Sequence, residues 1–415
     1  MKLWRQLGAA LALSLSLSAC AGTNVAPAGY INAADFRTCL LTLGKGEAGS
    51  INAKAITALE DGKKRLGVAS RRTSLDSPKK IEKAIAHDIS ANCSLIIGVG
   101  EAFVQPLMEQ AKYHRARHFA LLLPPGATAQ ATRENLAIIT YDLSQPAYVA
   151  GFIAAGTSAS GKVAVVAGEK NQINSTLISS FSQGVARYNS DQEQENGQSL
   201  KVKVIPGGNR FYLGGNANKA RVKSQTEAII KQGADVIFFA EGAQNSAGLE
   251  AIIKANADKE KAEQAAEEAS RQTAKPTEGE SPTSTPSESY PTPTVSASTV
   301  TPQIIDSVES ITAIWYLTDG HETQGNLPEG RPPVLTSIVP DLSEAMISLI
   351  EEARKDRFAA NSTQIVGTYR NGWVGLTPFY EYGSTGPNEV KKNSQIIEEE
   401  FRQGTLKLKG LWRQR

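Results

Sequence analysis

The chain has 415 residues, 40% of them hydrophobic and 21% charged, with 44 Lys and Arg against 42 Asp and Glu for a formal net charge of +2. That length exceeds what one hydrophobic core ordinarily supports, so two α/β lobes with additional elements are expected. The near-neutral balance lacks the electrostatic footprint of a nucleic-acid binder, and beyond the first twenty residues no apolar run is long enough to span a bilayer.

At the N-terminus, Lys2 and Arg5 form a short positive region, Leu7 to Leu17 an apolar stretch and Ser18-Ala19 a small-residue cleavage site, so residues 1–19 read as an export signal. Leu17-Ser18-Ala19-Cys20 resembles the lipobox of bacterial lipoproteins, in which the cysteine is lipidated and becomes the first mature residue. The expectation is an extracytoplasmic protein held to the cell membrane through Cys20, with residues 20–35 as its tether. An ordinary secretory signal that ends in cysteine is the alternative. Loss of Lys2 and Arg5 with the signal equalises the two charge signs.

From residue 36 short apolar runs alternate with helical-period segments, the pattern of βα units around a parallel sheet. Strands are predicted near 37–43, 66–70, 94–99, 118–123 and 136–140, and helices near 52–64, 78–90 and 103–114; residues 36–145 form the first lobe. Cys39 and Cys93 stand near the starts of two of these strands, which would be sheet neighbours. In an oxidising compartment the pair suggests one disulfide; two buried thiols packed as small hydrophobes is the other reading.

After a crossover at Leu143-Ser144-Gln145-Pro146, strands near 162–167, 201–205, 234–239 and 311–317 alternate with helices near 147–158, 173–188, 217–231 and 244–256, placing the second lobe in 146–256 and 304–330. Residues 257–303 interrupt it. Lys259 to Arg271 is a charged helix-forming run, and the Ser/Thr/Pro/Glu tract from Gln272 to Pro302 contains six prolines that exclude regular structure, giving an expected disordered insertion. Residues 331–415 supply returning elements shared between lobes and hinge: strands near 334–338, 364–370 and 373–376, and helices near 341–356 and 388–403.

The four histidines, His87, His114, His118 and His321, are scattered and show no metal-ligand spacing, so no metal is expected. A GxSxG elbow and a P-loop are missing from the sequence, and no catalytic residue and no cofactor are assigned. Ligands of open α/β sheets sit beyond the carboxyl ends of the strands, and between two lobes the crevice is the default pocket. Candidates therefore follow strands: Gly44 to Asn52, Gly100 to Phe103, Glu241 to Asn245 and Thr318 to Glu322, with Arg210-Phe211-Tyr212 as a further group.

Several stretches in consistent order resemble the basic membrane protein family, lipoproteins that bind purine nucleosides for ABC-type import. Asn135-Leu136-Ala137-Ile138, then Gln145 to Ala155, then Gly161-Lys162-Val163 are similar to that family's "NV…YLAG-xx-AA…GKVG" stretch. Phe181-Ser182-Gln183-Gly184 is similar to its "FxxGF" helix, Gly233 to Phe238 to its "GADVI" strand, and Asn371 to Pro378 to its "GGVGL" hinge. The resemblance covers most of residues 36–382 outside the insertion. It implies a two-lobed type I periplasmic-binding-protein-like fold, each lobe a doubly wound parallel sheet, a nucleoside-like small ligand and an ABC permease as partner, with no nucleic acid bound and no enzymatic activity.

Mapped residue by residue, the resemblance implies ligand contacts at Ser50, Asn52, Gly100 and Phe103, while Glu241, Gly242 and Asp319 are candidates because they follow strands. The sequence departs from the family at several polar positions. Isoleucine stands for the aromatic in Ser50-Ile51-Asn52, Leu122 or Leu123 replaces an aspartate, Pro340 replaces a lysine, and the ribose-binding turn is altered to Leu317-Thr318-Asp319-Gly320-His321. Asn52 could equally start a helix, and Phe103 could equally be a core aromatic. A ligand-deficient surface lipoprotein serving as an interaction or sensory module is therefore the second reading. A hydrolase, for which only Glu241 and Asp319 offer material, is the third.

Overall fold

The computed structural model describes residues 30–46, 50–127, 129, 133–196, 201–206, 211–214, 218–243, 246–273, 310–325, 327, 332–357, 364–383 and 388–408. The expected export signal, Cys20 and all but the start of the Ser/Thr/Pro tract lie outside them. In chain order the elements are β1 (Arg37–Leu43), α1 (Ile51–Leu66), β2 (Ala69–Leu75), α2 (Ile81–Ser90), β3 (Leu95–Val99), α3 (Val104–Tyr113), β4 (His118–Leu122), β5 (Leu136–Tyr141), α4 (Ser144–Thr157), β6 (Lys162–Val166), α5 (Gln172–Asn196), β7 (Lys203–Pro206) and α6 (Lys219–Lys231). There follow β8 (Val236–Phe239), α7 (Ser246–Thr273), β9 (Thr312–Tyr316), α8 (Gly320–Thr323), β10 (Val334–Pro340), α9 (Leu342–Arg354), β11 (Gln364–Gly367), β12 (Val374–Leu376) and α10 (Asn388–Gln403).

They build two separate six-stranded sheets, ordered β11-β5-β4-β3-β1-β2 and β12-β10-β9-β8-β6-β7. Every pairing is parallel except β10 with β12. The central strands β3, β4 and β5 are buried at every position, as parallel strands covered on both faces must be. Alternation in β1 divides its side chains between two layers: Leu40 joins Ala55, Ala58 and Leu59 of α1, whereas Cys39 and Leu41 join Ile81 and Ile85 of α2 and Leu107 of α3.

The strand expected near 66–70 lies later, at Ala69–Leu75. Gly67, left-handed at φ 67°, terminates α1 first. β2 then runs along the sheet edge, where Arg71, Arg72 and Ser74 need not be apolar because, among the described residues, one side of the strand meets no further strand. The charged, helix-forming run from Lys259 continues α7 without a break, and residues 258–270 of that helix are exposed.

Helix α4 is apolar nearly all round because it is surrounded, packing against α5, α10, β10 and β12. Its approach to α5 requires two glycines. A Cβ on Gly151 would overlap the Phe181 carbonyl oxygen and lie 2.8 Å from its carbon, and one on Gly184 would overlap the Tyr148 carbonyl oxygen and lie 2.8 Å from Phe152 N. The glycines of two stretches that resemble the family thus meet across one helix pair.

The chain passes between the sheets three times: β5 to α4, β10 to α9, and β11 to β12. The third pass ties the other two together, because Asp142 N donates to Gly367 O and Asp341 N to Trp373 O, each at 2.8 Å. One buried apolar cluster runs through both lobes around these passes.

Cys39 and Cys93 form a disulfide with Cα atoms 5.9 Å apart, and both are fully buried. Beside them Asp88 of α2 is 1% exposed. Burial raises its carboxyl above the ordinary 3.8, against the opposing charges of Arg71 and His87. A raised acid pKa means that the folded chain holds more protons than the unfolded chain just above pH 3.8, so this contribution to stability is complete below that pH and is lost as pH rises through the folded value. The melting temperature of the wild type relative to Asp88→Asn is therefore expected to fall as pH rises from below 3.8 toward neutrality. A difference that is flat with pH, or that grows, overturns the assignment.

Candidate functional site

Residues beyond the strand ends of the two sheets come together at the crossings. Tyr316, the last residue of β9, is buried, and its hydroxyl is pushed up in pKa by that burial and then by the charges of Glu241 in the second lobe and Asp142 at the first crossing. Lys54 on α1 of the first lobe is lowered by burial and held up by Asp319, Glu322 and Asp341. Its amine thus lies within electrostatic reach of carboxylates that follow β9 and β10 of the opposite sheet.

The most developed polar cluster follows β6 and β8. Their loops touch backbone to backbone: Gly168 N donates to Glu241 O at 2.9 Å, and a Cβ on Gly168 would lie 2.8 Å from Gly242 Cα. Gly242 itself is left-handed at φ 76°. Glu241 Oε2 accepts from Asn171 Nδ2 at 3.0 Å and Asn174 Nδ2 at 3.1 Å, and the Asn174 amide also donates to the carbonyls of Glu169 and Glu241. Asn171 Oδ1 accepts from Asn174 N at 2.8 Å as α5 begins. Ser175 and Tyr212 complete the wall, their hydroxyls 3.2 Å apart.

Among the described residues, every donor to this cluster is a neutral amide or hydroxyl, and Asn174 Oδ1 is buried without a partner. Among the described residues, Glu241 is thus held by neutral donors alone. In the sequence Asn171 and Asn174 are only residues near a helix start; their convergence on a carboxylate from another loop depends on the β6–β8 pairing, which brings Val166 opposite Phe239.

The other expected site residues have partners within the chain. Ser50 caps α1, accepting from Ala53 N at 3.1 Å, and the Asn52 amide donates to Leu43 O at the end of β1. Ser50, not Asn52, is thus the helix-start residue. Gly100 adopts φ 98° and ψ 167°, a backbone conformation open to glycine and strained for other residues.

Phe103 needs correcting: it is fully buried in the cluster with Cys39, Ile96 and Leu107, and its Cβ lies so near Gly98 that an added methyl there would come within 2.6 Å. It packs the first lobe and presents no face for stacking. Arg210 lies outside the described residues.

Asp319 is 7% exposed. Oδ1 accepts from His321 N at 2.9 Å and Oδ2 from the Tyr380 hydroxyl, whose pKa is pushed up by burial and by that bond. The His321 ring stacks on Tyr380 with centroids 4.0 Å apart, and its Nε2 lies 3.0 Å from Glu381 Oε2. The expected carboxylate is present at the strand end but is engaged by a segment from after β12, a partner that sequence order does not reveal.

The sequence profile described as "ABC transporter substrate-binding protein PnrA-like" matches residues 44–261, just over half of the chain. No curated protein matches. Among solved structures, an ABC transporter solute-binding protein from Conexibacter woesei DSM 14684 is similar at 16% identity and a TM-score of 0.58, covering 91% of this chain and 100% of that one. One from Aeropyrum pernix K1 has 16% identity and a TM-score of 0.55 over 90% and 92% of the two chains. A transcriptional activator of the comK gene from Bacillus halodurans has 16% identity and a TM-score of 0.57 over 89% and 99%. These likenesses show the two-lobed periplasmic-binding-protein-like fold, which hosts more than one function.

Proposed function

Because this chain belongs to the family of PnrA-like ABC transporter substrate-binding proteins, we propose that it is a lipid-anchored receptor that closes its lobes on a purine nucleoside or closely related molecule and presents it to an ABC-type permease. Family membership carries the coarser statement, a solute-binding role in import outside the cytoplasm. Among the described residues no helix is long and apolar enough to cross a membrane. The lipobox-like Leu17 to Cys20 is what supports attachment through a lipidated Cys20. A Cys20→Ser chain is expected in the soluble fraction and the wild type in the membrane fraction; equal partitioning would remove the anchor.

The observation that supports the ligand class is the Glu241 carboxylate, held among the described residues by neutral amide donors alone. A nucleoside brings hydroxyl and amino donors that this carboxylate can accept, and a charged acceptor makes each bond worth roughly 1.5–3 kcal/mol. The attraction between Lys54 of the first lobe and Asp319 of the second gives closure an electrostatic component, and the ligand shifts the open and closed populations by its preference for the closed one.

Calorimetric titration with guanosine, adenosine and inosine should show binding by at least one of them. Glu241→Ala should weaken it at least tenfold, about 1.4 kcal/mol. Binding that is indifferent to this substitution places the ligand elsewhere.

The engagement of Ser50, Asn52 and Asp319 within the chain favours a second reading, a surface lipoprotein that has lost its ligand and acts as an interaction or sensory module. Failure of every nucleoside to bind or to raise the melting temperature would select that reading.

A further inference from the structure

Away from the cleft, the layer between β1 and α2 holds chemistry that a receptor role leaves unused. The sulfur atoms of Cys39 and Cys93 and a carboxylate oxygen of Asp88 all lie within 4.8 Å of one another, and all three residues are buried. With the S–S bond formed, neither sulfur is a thiolate. Asp88 Oδ2 is buried with no hydrogen-bond partner, although buried polar atoms almost always have one. Its other oxygen lies 3.7 Å from Arg71 Nε, and Arg71 in turn contacts His87 Nδ1 at 3.1 Å. A buried carboxylate beside two sulfurs, with one of its oxygens idle, is the donor set of a borderline-soft cation.

We propose that Cys39, Cys93 and Asp88 form a divalent-metal site of the zinc class that opens when their disulfide is reduced, so that the first lobe holds either the S–S bond or the ion. Charge supports a divalent ion in particular. Two thiolates, the Asp88 carboxylate and the Arg71 guanidinium leave two negative charges uncompensated, and one divalent cation neutralises the buried group. In the oxidised chain, Asp88 and Arg71 already balance each other.

The exchange conserves atoms and electrons. A dithiol reductant transfers two electrons and two protons to the S–S bond, giving two thiols and becoming a disulfide itself. The ion then displaces both thiol protons to solvent as two metal–sulfur bonds form. Asp88 contributes the third bond, and a fourth position remains for water.

The test uses the full chain, reduced and freed of reductant without oxygen. Cobalt(II) should give a thiolate-to-metal charge-transfer band that saturates at one equivalent, and the air-oxidised chain should give none. Asp88→Asn should weaken binding at least tenfold. Zinc should raise the melting temperature of the reduced chain and leave that of the oxidised chain unchanged. Absence of the band in reduced, folded protein, equal affinity in Asp88→Asn, or zinc that fails to stabilise the reduced chain each overturns the proposal. Should Asp88→Asn not fold, alkylation of the reduced wild type decides instead. Zinc is expected to slow both thiols at least tenfold, and slowing of one or neither refutes the site.

Discussion

Replacing Gly184 by alanine is expected to lower the melting temperature of the second lobe by about 10 °C, corresponding to about 3 kcal/mol of overpacking. The added methyl would overlap the Tyr148 carbonyl oxygen and lie 2.8 Å from Phe152 N. Both are backbone atoms of a helix that cannot rotate away, so α4 and α5 must separate along their length. Separation would also disturb the stacked rings of Phe181 and Phe238, whose centroids are 5.4 Å apart, and the edge contact of Phe152 with Tyr188. Gly151→Ala, on the facing helix, should do similar damage.

Gly375→Ala is the control. It belongs to another stretch that resembles the family, yet a methyl there meets nothing within 4 Å, so its melting temperature should stay within a degree or two of the wild type. If Gly184→Ala melts like Gly375→Ala, the helix contact does not require glycine.

The second large effect is expected from removing the disulfide. Cys39 and Cys93 are separated by 54 residues, and in the chain-entropy description closing a loop of that size stabilises the fold by about 4 kcal/mol. The segment between them contains α1, β2 and α2, so the bond ties β1 to the residue region before β3 after the chain has covered both faces of the sheet.

Cys39→Ala combined with Cys93→Ala should lower the denaturation midpoint of the first lobe and leave the second lobe's transition in place. Reduction of the wild type in a metal-free buffer should produce the same shift. A double variant that unfolds with the wild type would show that packing alone holds this layer.

Much of the architecture was legible because parallel strands covered on both faces must be apolar at nearly every position. Leu95 to Val99 and Leu136 to Tyr141 have few other readings. β2 was misplaced for the complementary reason: at a sheet edge Arg71, Arg72 and Thr73 are tolerated, and the apolar Leu66 and Val68 before them belong to a helix end and a turn.

The candidate site was less legible because its residues are defined by partners remote in sequence. Glu241 reads as a lone carboxylate after a strand until Asn171 and Asn174 close on it. Asp319 reads as an open ligand contact until Tyr380, 61 residues later, occupies it. Phe103 matched an aromatic position in the resemblance, yet the same spacing also buries a ring under Gly98.

The hydrogen bonds that lash the third inter-sheet pass to the first and second bear on how the halves can move. A single strand between two bodies is a swivel and leaves twist and bend equally free. Three tethers fastened side by side act like a door hinge: they resist torsion and sliding and leave one soft arc. A permease meeting this protein would then discriminate along a single coordinate, the opening angle, and substitutions that loosen the fastening would blur that recognition even with every cleft residue in place.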